Sequence, residues 1–123
     1  MESYQQLKVW QKSIALVTDI YKTTKNFPAD ERYGLVTQMQ RSAVSVPSNI
    51  AEGWGRGNTI EYMRFLKIAR GSLLELETQI IIANNLEYLQ PKVFQILTQQ
   101  TKEVGRMLNG LITSLANKTG GRG

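Results

Sequence analysis

Apolar residues recur along this chain with the period of a helix, in four stretches set apart by proline and glycine. At 100° per residue, the first stretch, about residues 5–26, lines up Leu7, Trp10, Ile14, Val17 and Tyr21. The second, about 30–53, lines up Leu35, Met39, Ala43, Val46 and Ile50. The third, about 59–87, carries Tyr62, Phe65, Leu66, Ala69, Leu73, Leu76 and Ile80. The fourth, about 91–117, carries Val93, Leu97, Val104, Leu108, Leu111 and Leu115. None of them alternates with the period of two that a half-buried strand requires. Asn26-Phe-Pro28 closes the first stretch, Gly53-Trp-Gly-Arg-Gly57 ends the second, and Leu89-Gln-Pro91 opens the last. Four stripes with short connections predict an all-α fold, an antiparallel up-down four-helix bundle over residues 1–117. The glycine-rich 118–123 reads as a flexible tail.

Two local signals refine this picture. Pro47 falls inside the second helix, where it has no N–H to donate to the carbonyl of Ala43 and its ring crowds that oxygen. A kink near Pro47 is expected, with Ser45 and Ser48 placed to satisfy the freed carbonyl. Asn58 and Glu61 have the spacing of a capping box at the start of the third helix.

The first and third helices carry more apolar surface than one bundle core uses. Val9, Leu16 and Ile20 form a second stripe on helix one, and Leu74, Ile81 and Ile82 lie off the main stripe of helix three. A helix apolar on two sides is covered on two sides. These six residues are therefore the expected interface of a homo-oligomer.

Composition narrows the function. The 123 residues suit one domain, and 41% are hydrophobic, enough for a core. Cysteine and histidine are both absent. Disulfides, thiolate metal sites, thiol nucleophiles and every histidine-dependent triad are thereby excluded. No catalytic residue, metal or cofactor is expected. Met1-Glu-Ser-Tyr-Gln-Gln lacks the basic and apolar regions of a secretory signal. The longest aliphatic run, Ile80 to Ala83, is too short to span a bilayer. The expectation is a cytoplasmic protein with no membrane partner. A net charge of +5 points to an acidic partner, nucleic acid first among them.

The charge is uneven. Residues 41–70 hold Arg41, Arg56, Arg64, Lys67 and Arg70 against Glu52 and Glu61, a net +3. Arg56, Arg64, Lys67 and Arg70 gather around the start of the third helix, whose positive end adds to the potential. Gly53, Gly55 and Gly57 leave the turn open to a phosphate, and Trp54 is available for stacking or for packing on a neighbour. The Walker pattern is absent, for no Gly-Lys-Ser/Thr closes the turn. Glu75 and Glu77, two apart on a helix, point to different sides and form no catalytic dyad. A hairpin centred near residue 56 brings position 41 close to 71, so Arg41 and Glu75 are expected to form an ion pair. Asn49 reads as a satisfied amide at the edge of the core.

Arg41-Ser-Ala-Val-Ser-Val-Pro-Ser-Asn-Ile-Ala-Glu-Gly53 and Phe65-Leu-Lys-Ile-Ala-Arg-Gly-Ser-Leu-Leu-Glu-Leu-Glu-Thr78 resemble the bacterial four-helix-bundle family encoded in intervening sequences of 23S rRNA genes. Leu7-Lys-Val-Trp10 and Phe27-Pro-Ala-Asp-Glu-Arg-Tyr-Gly34 resemble it too, so the likeness spans nearly the whole chain. That family is similar in turn to the accessory protein of diversity-generating retroelements. That relative is a homopentameric barrel of four-helix bundles that binds nucleic acid and a reverse transcriptase, and the resemblance implies a pentamer.

The sequence thus leads to a non-enzymatic homo-oligomer, pentameric by resemblance, whose basic surface binds RNA or DNA. The rival reading is a protein-docking scaffold, for a reverse transcriptase for example, with no nucleic-acid contact of its own.

Overall fold

A computed structural model describes residues 2–120 as four helices, α1 (Lys8–Thr24), α2 (Leu35–Gly55), α3 (Thr59–Asn85) and α4 (Pro91–Gly120). Short 3-10 turns, Tyr4–Gln6 and Ala29–Glu31, precede α1 and α2. No strand occurs among the described residues. Each helix packs on two neighbours: α1 and α3 both touch α2 and α4, while the diagonal pairs do not meet. The core is a single cluster drawn from all four helices and the two longer connections. On α2 and α3 it follows the predicted stripes: Met39, Ala43, Val46 and Ile50 face Leu66, Ala69, Leu73, Leu76 and Ile80, all buried. On α4 it takes Leu97, Val104 and Leu108, and adds Ile112.

Helix α1 is turned relative to the sequence reading. Val9, Leu16 and Ile20, expected at an oligomer interface, are the core residues, exposed by only 5%, 1% and 0%. Ile14 and Tyr21 of the supposed core stripe are exposed, and Trp10 and Val17 are half-buried. The reason lies in two polar residues that complete the buried stripe, Ser13 and Thr24. Their hydroxyls bond back to their own helix. Ser13 Oγ donates to the carbonyl of Trp10 at 2.7 Å and Thr24 Oγ1 to that of Ile20 at 2.9 Å. A small side chain that satisfies itself on the helix backbone enters a core without the desolvation cost of an unpaired hydroxyl. Thr101 repeats the device on α4, donating to Thr98 O at 2.9 Å.

The α2–α3 contact is built on small residues. Ser42 Oγ donates to Glu75 Oε1 at 2.7 Å, and Ser45 Oγ meets Ser72 Oγ at 2.8 Å. The two pairs run in opposite senses along the chain, as antiparallel helices require. The register differs by several residues from the one expected, because α2 continues through Gly53 to Gly55. The expected Arg41–Glu75 ion pair does not form. Arg41 is exposed and outside ion-pair distance of Glu75, whose carboxylate takes the hydroxyl of Ser42, one residue further on.

Gly53 does not break the helix. It lets α3 come close. A Cβ there would sit 2.7 Å from Phe65 Cβ, and 3.2 Å from both Tyr62 Cδ1 and the Tyr62 carbonyl oxygen. Helix α2 is continuous across Pro47, which is buried. Ser45 and Ser48 do not act as expected there. The hydroxyl of Ser45 bonds across to α3, and Ser48 is exposed. Asn49 Nδ2 donates to the Ser45 carbonyl at 2.8 Å and to Ser45 Oγ at 2.9 Å, and so leaves the Ala43 carbonyl to other partners.

The helix ends follow local chemistry. Gly57, at φ 70°, takes the left-handed position after α2. Asn58 caps α3 by accepting from Glu61 N at 3.0 Å. The return arm of a capping box is replaced by a Glu61–Arg64 pair. After α3, Tyr88 N bonds to Ala83 O and Glu87 N to Asn84 O, both at 3.0 Å. These are the two bonds of a Schellman motif, and Glu87 stands at φ 62° where glycine is preferred. Tyr88 OH then donates to Glu31 Oε2 at 2.8 Å, while Glu31 Oε1 accepts from Leu35 N at 3.3 Å. One carboxylate thus joins the α3–α4 connection to the start of α2, and it raises the Tyr88 phenol above its ordinary value by holding the protonated form. Helix α4 extends to Gly120, so residues 118–120 of the expected tail are helical. Thr119 Oγ1 bonds back to Ala116 O at 3.0 Å, and Lys118 suits the negative end of the helix. Residues 121–123 of that tail lie outside the described residues.

Two stability changes follow from these contacts. Gly53→Ala forces a methyl group against a Cβ and a backbone carbonyl, neither of which has a rotamer to retreat into. A loss of about 1–3 kcal/mol is expected, measured by chemical denaturation, and an unchanged midpoint would show that the seam has slack. Glu87→Gly removes the cost of a left-handed non-glycine residue, about 1–2 kcal/mol, against about 0.4–1 kcal/mol of added unfolded-state freedom. The variant should melt at a higher temperature than the parent, and a lower melting temperature contradicts the account of this turn.

Candidate nucleic-acid interface

The cations predicted for one surface separate into two groups. At the α2–α3 turn, Arg56 and Arg64 both lie over the ring of Phe65, with guanidinium carbons 4.8 and 4.7 Å from its centroid. Phe65 itself is buried, so the arginines cover the close approach at Gly53. Each also has a carboxylate. Arg56 Nη2 is 3.3 Å from Glu52 Oε1. Arg64 grips Glu61 with two bonds, Nε to Oε2 at 3.0 Å and Nη2 to Oε1 at 3.2 Å. The Arg64 hydrogen bond holds the Glu61 carboxyl below its ordinary value, and Glu61 raises the guanidinium in return. Two cations against two anions leave this turn near neutrality.

Trp54, the stacking candidate in this turn, is half-buried and packs edge-to-face with Tyr4, the ring centroids 6.3 Å apart. Tyr4 also meets Trp10 at 5.3 Å. The packing alternative for Trp54 is the one the structure adopts.

Arg70 points the other way along α3, to α4. Its Nη1 donates to Asn109 Oδ1 at 3.0 Å. It lines a groove of about 440 Å³ between the two helices with Leu73, Leu74 and Glu77 on one wall, and Lys102, Gly105, Arg106 and Asn109 on the other. Lys102 and Arg106 are four apart and so share a helix face. Gly105 leaves the wall between them without a side chain, and a Cβ there would stand 3.4 Å from Leu73 Cδ2. Glu77 is the single acid among the lining residues, against three bases. Lys67, exposed and three residues before Arg70, extends this positive face along α3. Lys67, Lys102, Arg70 and Arg106 form no ion pair among the described residues.

Lys102, Arg106 and Asn109 are not evident from charge counted by segment, which draws attention to residues 41–70 alone. The readable signal is the i, i+4 spacing of Lys102 and Arg106 around a glycine, on the helix that must pack beside Arg70.

The remaining interface candidates also lie on α3. Leu74, Ile81 and Ile82 are 56%, 49% and 44% exposed. Ile60 and Ile68 on the same helix, and Ile14 and Tyr21 on α1, are exposed as well. No helix among the described residues is long and apolar enough to cross a membrane.

Known proteins share this architecture. The family described as 23S rRNA-intervening sequence protein matches residues 5–110. A crystal structure from Bacteroides thetaiotaomicron VPI-5482, of a protein with unknown function from the S23 ribosomal protein family, superposes with a TM-score of 0.79 at 21% identity. The match covers 85% of this chain and 95% of that one. No curated protein sequence matches the chain.

Proposed function

The chain belongs to the 23S rRNA-intervening sequence protein family, and on that premise we propose that it is a non-enzymatic, homo-oligomeric helical bundle that binds RNA or DNA through a basic surface. The observation that carries this reading is the α3–α4 groove, where Arg70, Lys102 and Arg106 stand together against the single acid Glu77. Cations without a protein anion are free to displace counterions from a phosphate backbone, which is the source of sequence-independent affinity. Lys67 belongs to the same surface. Arg56 and Arg64, tied to Glu52 and Glu61, contribute less. Contacts of this kind fix position on the nucleic acid and read little sequence.

Self-association is the second part of the proposal. Leu74, Ile81 and Ile82 leave α3 apolar toward solvent, and burial of a large aliphatic side chain stabilises by about 1.5–3 kcal/mol. A second copy of the chain would supply that burial, and five subunits is the number we propose, on the likeness to the accessory protein of diversity-generating retroelements. Repetition of the groove around such a ring turns several weak phosphate contacts into one strong attachment.

Two measurements test these statements. For the groove, the variant Lys102→Glu/Arg106→Glu should bind B-form duplexes of every sequence more weakly. Its log–log salt slope should be shallower by about 0.9 for each phosphate that is no longer neutralised. Unchanged affinity and slope would remove the groove from consideration. For the oligomer, light scattering at micromolar concentration should give a mass several times that of one chain, and Ile81→Asp should lower it. A monomeric parent protein ends the assembly proposal and leaves the groove test standing.

A further inference from the structure

At the opposite end of α2 from the Phe65 cluster lies a larger cleft, about 620 Å³, between the α1–α2 connection and the first turns of α2. That volume is in the range of small-molecule sites. Its apolar lining comes from Phe27, Pro28, Ala29 and Val36, and its polar lining includes Lys25, Arg32, Tyr33 and Gln40. Tyr33 is 88% exposed, far more than any other large hydrophobic or aromatic side chain described. The Arg32 guanidinium lies 5.8 Å from the Tyr33 ring centroid. The ring packs on little of the protein and leaves its face open to solvent beside a cation. It is the geometry of a platform for another flat ring.

The electrostatics agree. Lys25 and Arg32 line the cleft and no acid does. Glu31 is near in sequence, but both its oxygens are engaged, by Leu35 N and by Tyr88 OH. Asp30, the other acid of the connection, is exposed and outside the lining. The positive end of α2 is met by the Glu31 carboxylate at Leu35 N, so the cationic character of the cleft rests on Lys25 and Arg32. Gln40 supplies an amide at the cleft wall, with Nε2 donating to Thr24 Oγ1 at 3.2 Å.

We propose that this cleft binds a nucleotide unit whose base is unpaired, the base stacked on Tyr33 and the phosphate held by Lys25 and Arg32. Aromatic stacking accepts any base, because each has a π face, and a base is free to stack only where it is not already paired and stacked in a duplex. The cleft therefore selects single-stranded over double-stranded nucleic acid. The α3–α4 groove, which tracks phosphates, makes no such distinction. The two sites use different helices, and each stands or falls without the other.

The test measures fluorescence anisotropy of a labelled oligouridylate, and of the same backbone without bases, on the full chain. Tyr33→Ala should weaken the oligouridylate by about 5- to 150-fold, which corresponds to the ~1–3 kcal/mol of one stacked base. Tyr33→Phe should bind as the parent does. The abasic strand should respond to neither variant, but should weaken with Lys25→Glu. An oligouridylate affinity unaltered by Tyr33→Ala overturns the proposal, and so does an equal loss on the abasic strand. Because Tyr33 is exposed, its replacement should leave the helical circular dichroism intact. Uridine monophosphate as competitor separates the two sources of the ligand. Competition means that the cleft accepts a free nucleotide, and none, with the Tyr33 effect retained, means that it takes a strand. Lys102→Glu/Arg106→Glu is the control. If that variant loses duplex binding while Tyr33→Ala changes nothing, the groove reading survives and this one fails.

Discussion

The close approach of α2 to α3 is the constraint on which the rest of the bundle depends. Gly53 has no room for a methyl group against Phe65 and Tyr62, and the seam above it is made of serines that meet Glu75 and Ser72. Small residues at a helix contact exchange side-chain volume for backbone proximity, which favours dispersion and short hydrogen bonds. Once the two helices are this close, the register is fixed, and with it the direction in which every residue of α3 points. Arg70 reaches α4, and Leu74, Ile81 and Ile82 are left outside. Both proposed surfaces on α3 thus follow from the α2 side of the hairpin.

Much of this architecture is legible in the chain. On helices α2, α3 and α4 the main predicted stripe is the one that is buried, although α3 also carries Leu74, Ile81 and Ile82 on its exposed side. Helix α1 has two stripes of comparable strength, so hydropathy alone does not choose between them. The deciding residues, Ser13 and Thr24, look polar to any pattern rule and are in fact core residues whose hydroxyls are consumed by their own helix. The α2–α3 register escapes sequence reading for a related reason. Gly53 reads as a stop signal, and its use for a close approach depends on a partner helix that no local pattern displays.

The basic surface is legible only in part. Sequence distance puts Arg56, Arg64, Lys67 and Arg70 together, whereas the fold divides them at Phe65. Two of them are neutralised by acids one helical turn away, a pairing that i, i+3 and i, i+4 spacing already encodes. Arg70 joins Lys102 and Arg106, more than thirty residues on in the chain, and Lys67 lies exposed one turn before it on α3. A surface made from two helices is visible only once their pairing is known, and the same holds for Tyr33. Its isolation from the core is a fact of three dimensions.

The aromatic cluster of Tyr4, Trp10 and Trp54 has an optical consequence. The chain has two tryptophans, and both stand against the same tyrosine at one end of the molecule. Intrinsic tryptophan emission therefore watches the junction of the N-terminal turn, the start of α1 and the end of α2, and is blind to the Tyr33 end. Far-ultraviolet dichroism watches all four helices. For a bundle that unfolds as one unit the two signals coincide, since coincident transitions are the mark of a two-state process. An emission change that precedes the dichroic one isolates local opening at that junction, and the natural chain reports it without an added label.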